Sequence, residues 1–342
     1  MNIAFDLNTI WFVLVGALFT GYAILDGFDL GVGALHLFTK TDEHRRLMLN
    51  AIGPVWDGNE VWLVTGGGAL FAAFPMAYAT VFSGFYMAFM LFLFGLIFRA
   101  VAIEFRSKRP SVRWRRTWDI SFSVSSILSS LIVGIALGNI ILGIPLNAEH
   151  EFVGTFWGLL NPYALLTGIT TVALFMMHGS IYTVLKTEGE LHDRVRGWVN
   201  NTIIFFILCY VTTTMATLMY LPHMLEYFKQ FPALFAIPFL NMLAIANIPR
   251  EVLKGSDFRA FLSSCAAMLA LMAIFGIGIF PNLVYSNPIA ENSLNIYNAA
   301  SSAKTLKIML TIAIMGIPIV IAYTVSIYWI FRGKVTLDEH SY

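Results

Sequence analysis

Residues 10–37 read IWFVLVGALFTGYAILDGFDLGVGALHL, an apolar run that is long enough to cross a membrane as a single helix. The run contains no Lys or Arg, and the first basic residue of the chain is Lys40. Two acids, Asp26 and Asp29, nevertheless lie three positions apart inside it. A charged carboxylate at the centre of a bilayer costs on the order of 3 kcal/mol or more. This stretch therefore predicts a membrane helix that carries functional acids.

The composition of the whole chain agrees with that interpretation. Of its 342 residues, 58% are hydrophobic and only 12% are charged, about half the share of roughly 25% in soluble domains. The net charge of +1 gives no sign of a nucleic-acid partner. The two cysteines, Cys209 and Cys265, lie far apart in apolar runs, so we interpret them as buried thiols rather than metal ligands. The chain is therefore predicted to be an all-α integral membrane protein.

Nine apolar segments reach the length of about 20 residues that a spanning helix needs. The seventh of them is the shortest and contains Pro238. The nine segments cover residues 10–37, 51–74, 79–103, 118–143, 161–186, 199–221, 233–249, 260–280 and 305–331.

The distribution of basic residues supports this count. Of the 21 Lys and Arg residues, only Lys229, Lys304 and Lys307 fall outside the loops and helix ends that follow odd-numbered segments. Cytoplasmic loops of membrane proteins carry an excess of Lys and Arg. The alternation therefore predicts nine helices, with the N-terminus outside and the C-terminus in the cytoplasm.

Two loops resemble each other and suggest an internal repeat. Residues 40–50 read KTDEHRRLMLN and residues 186–200 read KTEGELHDRVRGWVN. Both begin with Lys-Thr-acid, contain a His and two Arg, and end with Asn. We interpret them as marks of two related four-helix units plus one extra helix, although a chance likeness of two cytoplasmic loops stays open. The divisions are 10–143, 161–280 and 305–331 within a single membrane domain over 1–342.

A second pair of acids follows the first. Asp57 and Glu60 lie three positions apart in GPVWDGNEVW, near the start of the second segment. A short loop joins this segment to the first, so all four acids are expected in the cytoplasmic half of one helical hairpin. Acids within membrane spans mark ion pathways or proton relays, and four clustered carboxylates cannot all be ionised. The pattern predicts a proton-conducting route, with Asp57 as the strongest single candidate.

A structural role for the same acids is the alternative. Arg99 and Glu104, at the inner end of the third segment, or His36, seven positions after Asp29, are candidate partners within the fold. Two acid pairs with the same spacing favour the proton route over this alternative.

Histidine placement gives no sign of a haem or metal site on this chain. Only His178, in LFMMHGSIY, lies well within a predicted span. A lone membrane histidine is more often hydrogen-bonded to a neighbouring helix than bound to a metal. The other six, which lie in loops, in the tail or at a helix end, are His36, His44, His150, His192, His223 and His340.

Seven motifs follow one another along the chain. They are LDGFDLGVG, WDGNEVWL, GGGALFAAFP, FSGFYMAFML and FRAVAIEFRSK, followed by LNPYALLTG and GELHDRVR. Together they resemble subunit II of the cytochrome bd-type quinol oxidases. The likeness is strong over about residues 11–119 and weaker beyond. Some relatives have Pro where this chain has Ala100, and some have Gln where it has Glu60.

The resemblance implies what the residues alone do not. In that family subunit I carries three haems, of types b and d, and the quinol site, and the complex reduces dioxygen to water with cytoplasmic protons. Subunit II carries no haem, so no catalytic residue, cofactor or metal is expected on this chain. The implied roles are a proton path at Asp57, to which Asp26, Asp29 and Glu60 add, and a dioxygen route beside Trp62.

The resemblance also implies the partners and the place of the protein. It would form a heterodimer with subunit I, with a small one-helix subunit, membrane lipid and a structural quinone as further candidates. The expected location is the plasma membrane of a prokaryote, crossed many times.

Two other functions stay open at the level of sequence. A proton-coupled secondary transporter would also combine repeated helical units with acids near the membrane centre, and it would work without a haem protein. A structural scaffold would use its acids for assembly alone. Co-purification with a haem subunit distinguishes the oxidase from the transporter. Neutralising Asp57 distinguishes the oxidase, which would lose activity, from the scaffold, which would keep turnover and lose assembly.

Overall fold

Twelve α-helices and one small sheet make up residues 6–337, which are the residues that the computed structural model describes. The sheet pairs two short antiparallel strands, β1 (Asn282–Val284) and β2 (Leu294–Asn295). The helices are α1 (Leu7–Leu35), α2 (Asp42–Ile52), α3 (Trp56–Ala73), α4 (Pro75–Gly84), α5 (Tyr86–Phe105), α6 (Val112–Leu142), α7 (Pro162–Lys186), α8 (Gly189–Tyr220), α9 (Glu226–Gln230), α10 (Ala236–Leu253), α11 (Asp257–Ile279) and α12 (Ala303–Ile330).

Eight helices within residues 6–337 are long and apolar enough to cross a membrane, which confirms an all-helical, multi-pass protein. They correspond to eight of the nine predicted segments. The exception is the segment predicted over residues 51–74, whose helix α3 starts only at Trp56 and has 18 residues. Gly53 and Pro54 separate α3 from α2, because proline lacks the backbone N–H that a continuous helix needs.

The third predicted segment, residues 79–103, is also divided. It forms α4 and α5, which meet at Phe85. Helix α4 begins with Pro75 at its first position, where the missing N–H would be unpaired in any helix. The divided segments lie next to each other in the chain, so residues 42–105 contain four helices instead of two.

Helix α3 runs antiparallel along α1. The Asn59 side chain near its start donates to the carbonyl of Leu25, 3.2 Å away. Further along, Trp62 lies against Gly21, and near the end of α3 Gly66 lies against Phe19. The chain therefore returns along α1 towards the end of the bundle where α1 began.

Glycines bring α1 and α7 into direct contact. A Cβ atom added to Gly31 would lie 1.8 Å from the carbonyl oxygen of Phe175, and one added to Gly179 would lie 2.5 Å from backbone atoms of Gly31 and Val32. Small residues are what allows membrane helices to approach so closely. Helix α1 also packs against α3, α6 and α11, so it occupies the centre of the bundle.

Polar side chains cap the starts of several spanning helices. The carboxylate of Asp6 accepts from the backbone N–H of Thr9 at 2.8 Å. The side-chain oxygen of Asn161 accepts from Ala164 at 2.8 Å, with Pro162 as the first residue of α7. Such caps satisfy N–H groups that have no partner within the helix, and they fix where α1 and α7 begin.

The basic loops meet at one end of the bundle, which we call the basic end. Arg45 contacts Asp119 at the start of α6, and His44 lies 4.0 Å from Glu190 at the start of α8. Arg196 donates to the carbonyl of Val252 at the end of α10. The side chains thus connect loops that are far apart in sequence, as the charge alternation requires.

Helix α12 is attached mainly at its two ends. Within it only Leu306 is buried, and the carbonyl of this residue accepts from the indole N–H of Trp11 at 3.0 Å. At the basic end two lysines connect the end of α7 with the residues that follow α12. Lys186 of α7 donates to the carbonyls of Phe331 and Gly333, while Lys334 donates to the carbonyls of Thr187 and Val184.

Candidate functional site between α1, α3 and α5

Arg99 lies between two of the predicted acids. Its Nη2 atom is 2.7 Å from Oδ1 of Asp26 on α1 and 3.4 Å from Oε1 of Glu60 on α3. Asp26 is wholly buried and the Arg99 side chain is 1% exposed. A positive charge in this position offsets two carboxylates that would otherwise repel each other in a region of low dielectric.

Helical spacing on α5 explains how an arginine reaches the interior. Gly95, Arg99 and Ala102 follow each other at intervals of four and three residues and are all buried, whereas Ile97 and Phe98 are exposed. Residues with this spacing share one face of a helix. The exposed side of α5 therefore stays apolar while its inner face brings the guanidinium to the acids.

Asp29 belongs to a neighbouring hydrogen-bonded chain. Its Oδ2 atom accepts from the side-chain amide of Asn59 at 2.8 Å, and the Oδ1 atom of Asn59 accepts from the hydroxyl of Tyr328 at 2.8 Å. Three helices, α1, α3 and α12, meet at this amide. These two hydrogen bonds link the buried carboxylate of Asp29 to α12, in which only Leu306 is buried.

Asp57 lies apart from the buried acids. It is exposed, as is Gly58, whereas Asn59 between Asp57 and Glu60 is buried. The structure therefore brings Asp26 and Glu60 together around Arg99 and places Asp29 at Asn59. It puts Asp57 on the outer surface of α3, one turn before Glu60.

Trp62 is seated on α1. A Cβ atom on Gly21 would lie 2.3 Å from the indole ring, so the ring can pack here only because residue 21 has no side chain. The ring is half-buried, one turn beyond Asn59 on α3. Its position beside the acid cluster fits packing, and part of the residue remains exposed.

Sequence reasoning missed two members of the site, Asn59 and Tyr328. Asn59 stands between the two acids of α3, where its amide offered a sequence signal for an interhelical hydrogen bond. No such signal pointed to Tyr328, because its contact depends on how α12 packs. Arg99 was expected as one of three candidate partners, and it is the partner of Asp26 and Glu60.

A second cluster of charges lies at the basic end. Asp119 is 1% exposed and accepts from Nε2 of His36 at 2.7 Å, from Nη1 of Arg45 at 3.0 Å and from Nε of Arg106 at 2.5 Å. Arg106 also contacts Asp42 at 2.7 Å. His36 was a candidate partner of the acids on α1, and it pairs with Asp119 instead.

His178 is hydrogen-bonded between helices. Its ring nitrogens lie 2.8 Å from the hydroxyl of Ser264 and 3.0 Å from the carbonyl of Ile24, and the ring stacks on Phe261. Among residues 6–337, no group of three or more His, Cys, Asp and Glu side chains is arranged to hold a metal ion. His340 lies outside the described residues.

Comparison with known proteins places this arrangement in a family. The family of cytochrome bd terminal oxidase subunit II matches residues 7–331. Subunit 2 of the cytochrome bd-I ubiquinol oxidase of Escherichia coli K12 is 36% identical, over 97% of this chain and 96% of its own length. The cytochrome bd ubiquinol oxidase subunit 2 of Bacillus subtilis is 32% identical over 98% of both chains.

A solved structure supports the same fold. A chain of the bd oxidase from Geobacillus thermodenitrificans superposes with a TM-score of 0.77 at 16% identity, over 95% of this chain and 98% of that one. The eight apolar helices and the relatives together indicate a multi-pass protein of a prokaryotic plasma membrane. Membership of a subunit II family also implies a complex with a subunit I. The chain belongs to the cytochrome bd terminal oxidase subunit II family.

Proposed function

We propose that this chain supplies a proton route to a quinol-oxidising, dioxygen-reducing complex whose haems are carried by subunit I. Family membership and the ubiquinol oxidase names of its relatives support the activity. The family also replaces the secondary transporter as the interpretation of the membrane acids.

The observation that carries the proposal is an exposed acid next to a buried charge cluster. Asp57 lies on the surface of α3, whereas Glu60, one turn further, contacts Arg99. A carboxylate that faced lipid would be costly, so the neighbouring subunit or water at its surface is needed to cover it. The exposed apolar residues Val61 and Val64 continue the same helix. We therefore place subunit I against α3.

The proposed route starts at Asp57 and passes to Glu60, which lies three residues on and can share a helix face with it. Arg99 holds Glu60 and Asp26 within reach of one guanidinium, so a proton that reaches Glu60 arrives at a site that two acids share. Asp29, fixed by Asn59, shapes the inner side of the path. The reaction itself would take place on subunit I, with no catalytic residue on this chain.

The proposal includes nine membrane crossings, with the start of α1 outside and the end of α12 in the cytoplasm. Helices α1 and α5 both end at the basic end, so the chain between them has to return across the membrane. The antiparallel course of α3 along α1 supports this return, and the positive-inside rule supports the direction.

We also propose the division into two related units. The packing of the helices supports it, because α1 pairs with α3 as α7 pairs with α8, and α5 pairs with α6 as α10 pairs with α11. Contacts of α1 with α6 likewise match those of α7 with α11. A one-helix subunit, bound lipid and a structural quinone stay predictions from the resemblance.

The test is the variant Asp57→Asn in the purified complex, with quinol-driven oxygen uptake and haem content measured on one sample. We expect haem to be retained and uptake to fall about tenfold or more, which corresponds to about 1.4 kcal/mol in barrier. Glu190→Gln, which neutralises an exposed acid at the basic end, is the control and should leave uptake unchanged. Unchanged uptake in Asp57→Asn would contradict the route. Joint loss of haem and uptake, with the uptake per haem unchanged, would favour a scaffold.

A further inference from the structure

Helices α10 and α11 leave an open groove of about 500 Å³ between them on the outer side of the bundle. Leu243, Asn247 and Arg250 line it from α10, and Leu262, Ser263 and Ala266 line it from α11. The groove is separate from the acid cluster, which lies between α1, α3 and α5.

The chemistry of the groove changes with depth. On α10, Arg250 lies at the basic end, Asn247 one turn deeper and Leu243 two turns deeper, about 10 Å from Arg250 along the helix axis at 1.5 Å per residue. On α11, Arg259 lies one turn from Ser263, whose hydroxyl donates to the carbonyl of Arg259 at 2.9 Å. Cationic, hydrogen-bonding and apolar side chains thus follow each other from the membrane surface inwards.

The polar groups in the groove keep donors for a ligand. Asn247 donates to the hydroxyl of Ser263 at 2.8 Å and accepts from Nη1 of Arg250 at 3.2 Å. The Arg250 side chain is 65% exposed and lies 4.0 Å from Glu251, which is closer to Lys254 at 3.6 Å. A guanidinium has five N–H donors, so most of those on Arg250 point to solvent or to a bound anion.

We infer that this groove binds an anionic phospholipid of the cytoplasmic leaflet, with its phosphate at Arg250 and Arg259 and an acyl chain along Leu243, Leu262 and Ala266. Arginine and phosphate form strong charge-assisted hydrogen bonds. Basic residues at the cytoplasmic surface attract anionic lipids. A soluble phosphate would leave the apolar part of the groove empty, and an apolar protein helix would leave the exposed donors of Arg250 without an anion, because Glu251 lies 4.0 Å away.

The chain contains a natural comparison for this assignment. Helices α5 and α6 form a groove of about 630 Å³, lined among others by Leu91, Phe98, Ile120 and Ser121. None of the described residues that line it is charged. If the arginines select the headgroup, only the groove between α10 and α11 should prefer an anionic lipid.

The test uses the intact complex, delipidated and then incubated with phosphatidylglycerol or phosphatidylcholine, with bound lipid counted by native mass spectrometry. We expect the unmodified complex to retain one phosphatidylglycerol molecule that the double variant Arg250→Gln/Arg259→Gln binds about tenfold more weakly. Arg194→Gln/Arg332→Gln, which also removes two positive charges at the basic end but none near the groove, should bind like the unmodified complex. Haem content checks assembly in every sample.

A second variant tests the groove without removing charge. Ala266→Trp would fill the apolar part and should lower retention as the double variant does. Equal retention of the two lipids by the unmodified complex, or unchanged retention in both groove variants, would overturn the inference, as would a protein helix seated in the groove. The inference does not depend on the proton route, because oxygen uptake is not its readout.

Discussion

The guanidinium of Arg99 and the carboxylate of Asp26 lie 2.7 Å apart across α5 and α1, and neither side chain is more than 1% exposed. The two residues are far apart in sequence, and each sits in an apolar helix. Removing Arg99 leaves the carboxylates of Asp26 and Glu60 without their shared counter-charge, which is much less favourable than removing Arg99 together with Asp26. The pair therefore makes the integrity of the acid cluster testable by charge deletion.

Arg99→Met should destabilise the complex by about 3–5 kcal/mol, the usual cost of breaking a buried ion pair from one side. Haem content and the thermal unfolding temperature of the purified complex measure the effect. Arg194→Met, which removes an arginine paired with exposed Glu190, should cost about 0.5 kcal/mol or less. In the double variant Arg99→Met/Asp26→Asn, part of the lost stability should return. A double variant as unstable as Arg99→Met would show that the ion pair is not the cause.

Gly31→Ala should prevent normal assembly. The new methyl group would meet the carbonyl of Phe175 at 1.8 Å, and backbone cannot move aside as the end of a side chain can. Gly16→Ala on the same helix is the matched control, because nothing lies within 4 Å of its added methyl group. Expression level and haem content compare the two, and equal yields would mean that α1 and α7 do not need their close contact.

Asp119→Asn should destabilise the basic end strongly. Asp119 is buried and pairs with His36, Arg45 and Arg106, so its neutralisation leaves cations without their shared counter-charge, at about 3–5 kcal/mol. Asp42→Asn should cost about 1 kcal/mol or less, because Asp42 is 45% exposed. Thermal unfolding measures the loss of stability in the two variants. Asp119→Asn should lose more, because Asp119 is buried and Asp42 is not.

Trp62→Ala should raise kcat/KM for dioxygen and leave kcat and the KM for quinol unchanged. If a dioxygen route passes the indole, the smaller side chain widens it, and kcat/KM is the parameter that access limits. Trp157→Ala, which removes an exposed tryptophan on an outer loop, should change none of the three. Oxygen uptake recorded at a series of dioxygen concentrations gives the answer, and an unchanged kcat/KM in Trp62→Ala would place the route elsewhere.

Composition and charge alternation predicted much of this architecture, because membrane helices are long apolar runs with basic residues at one end. The predicted boundaries fail where polar residues belong to a helix. Helix α8 begins at Gly189 instead of residue 199, since its first three turns are charged and extend beyond the apolar part. The separation of α2 from α3 could have been predicted from the sequence, because Pro54 lies between them.

The acid cluster was predictable in part. Two acids in an apolar run have to face the interior, so the burial of Asp26 and Asp29 follows from sequence. Which of Asp57, Asn59 and Glu60 faces inward does not follow, because it depends on the rotation of α3 about its axis. In the structure Asn59 is buried and Asp57 is exposed, and the proposed contact with subunit I would account for the exposed position of Asp57.

The hydrogen bonds of Lys186 and Lys334 at the basic end determine when α12 can be attached to α7 during folding. Each of Lys186 and Lys334 holds carbonyl groups at the end of the other's helix. Residues 331–334 follow α12 in the chain, so they are made after α12 and long after α7. Helix α12 can thus be inserted into the membrane before its anchor exists. The residues that follow α12 then attach it to α7, and a chain that stopped before Phe331 would contain the twelve helices described within residues 6–337 but would lack these hydrogen bonds.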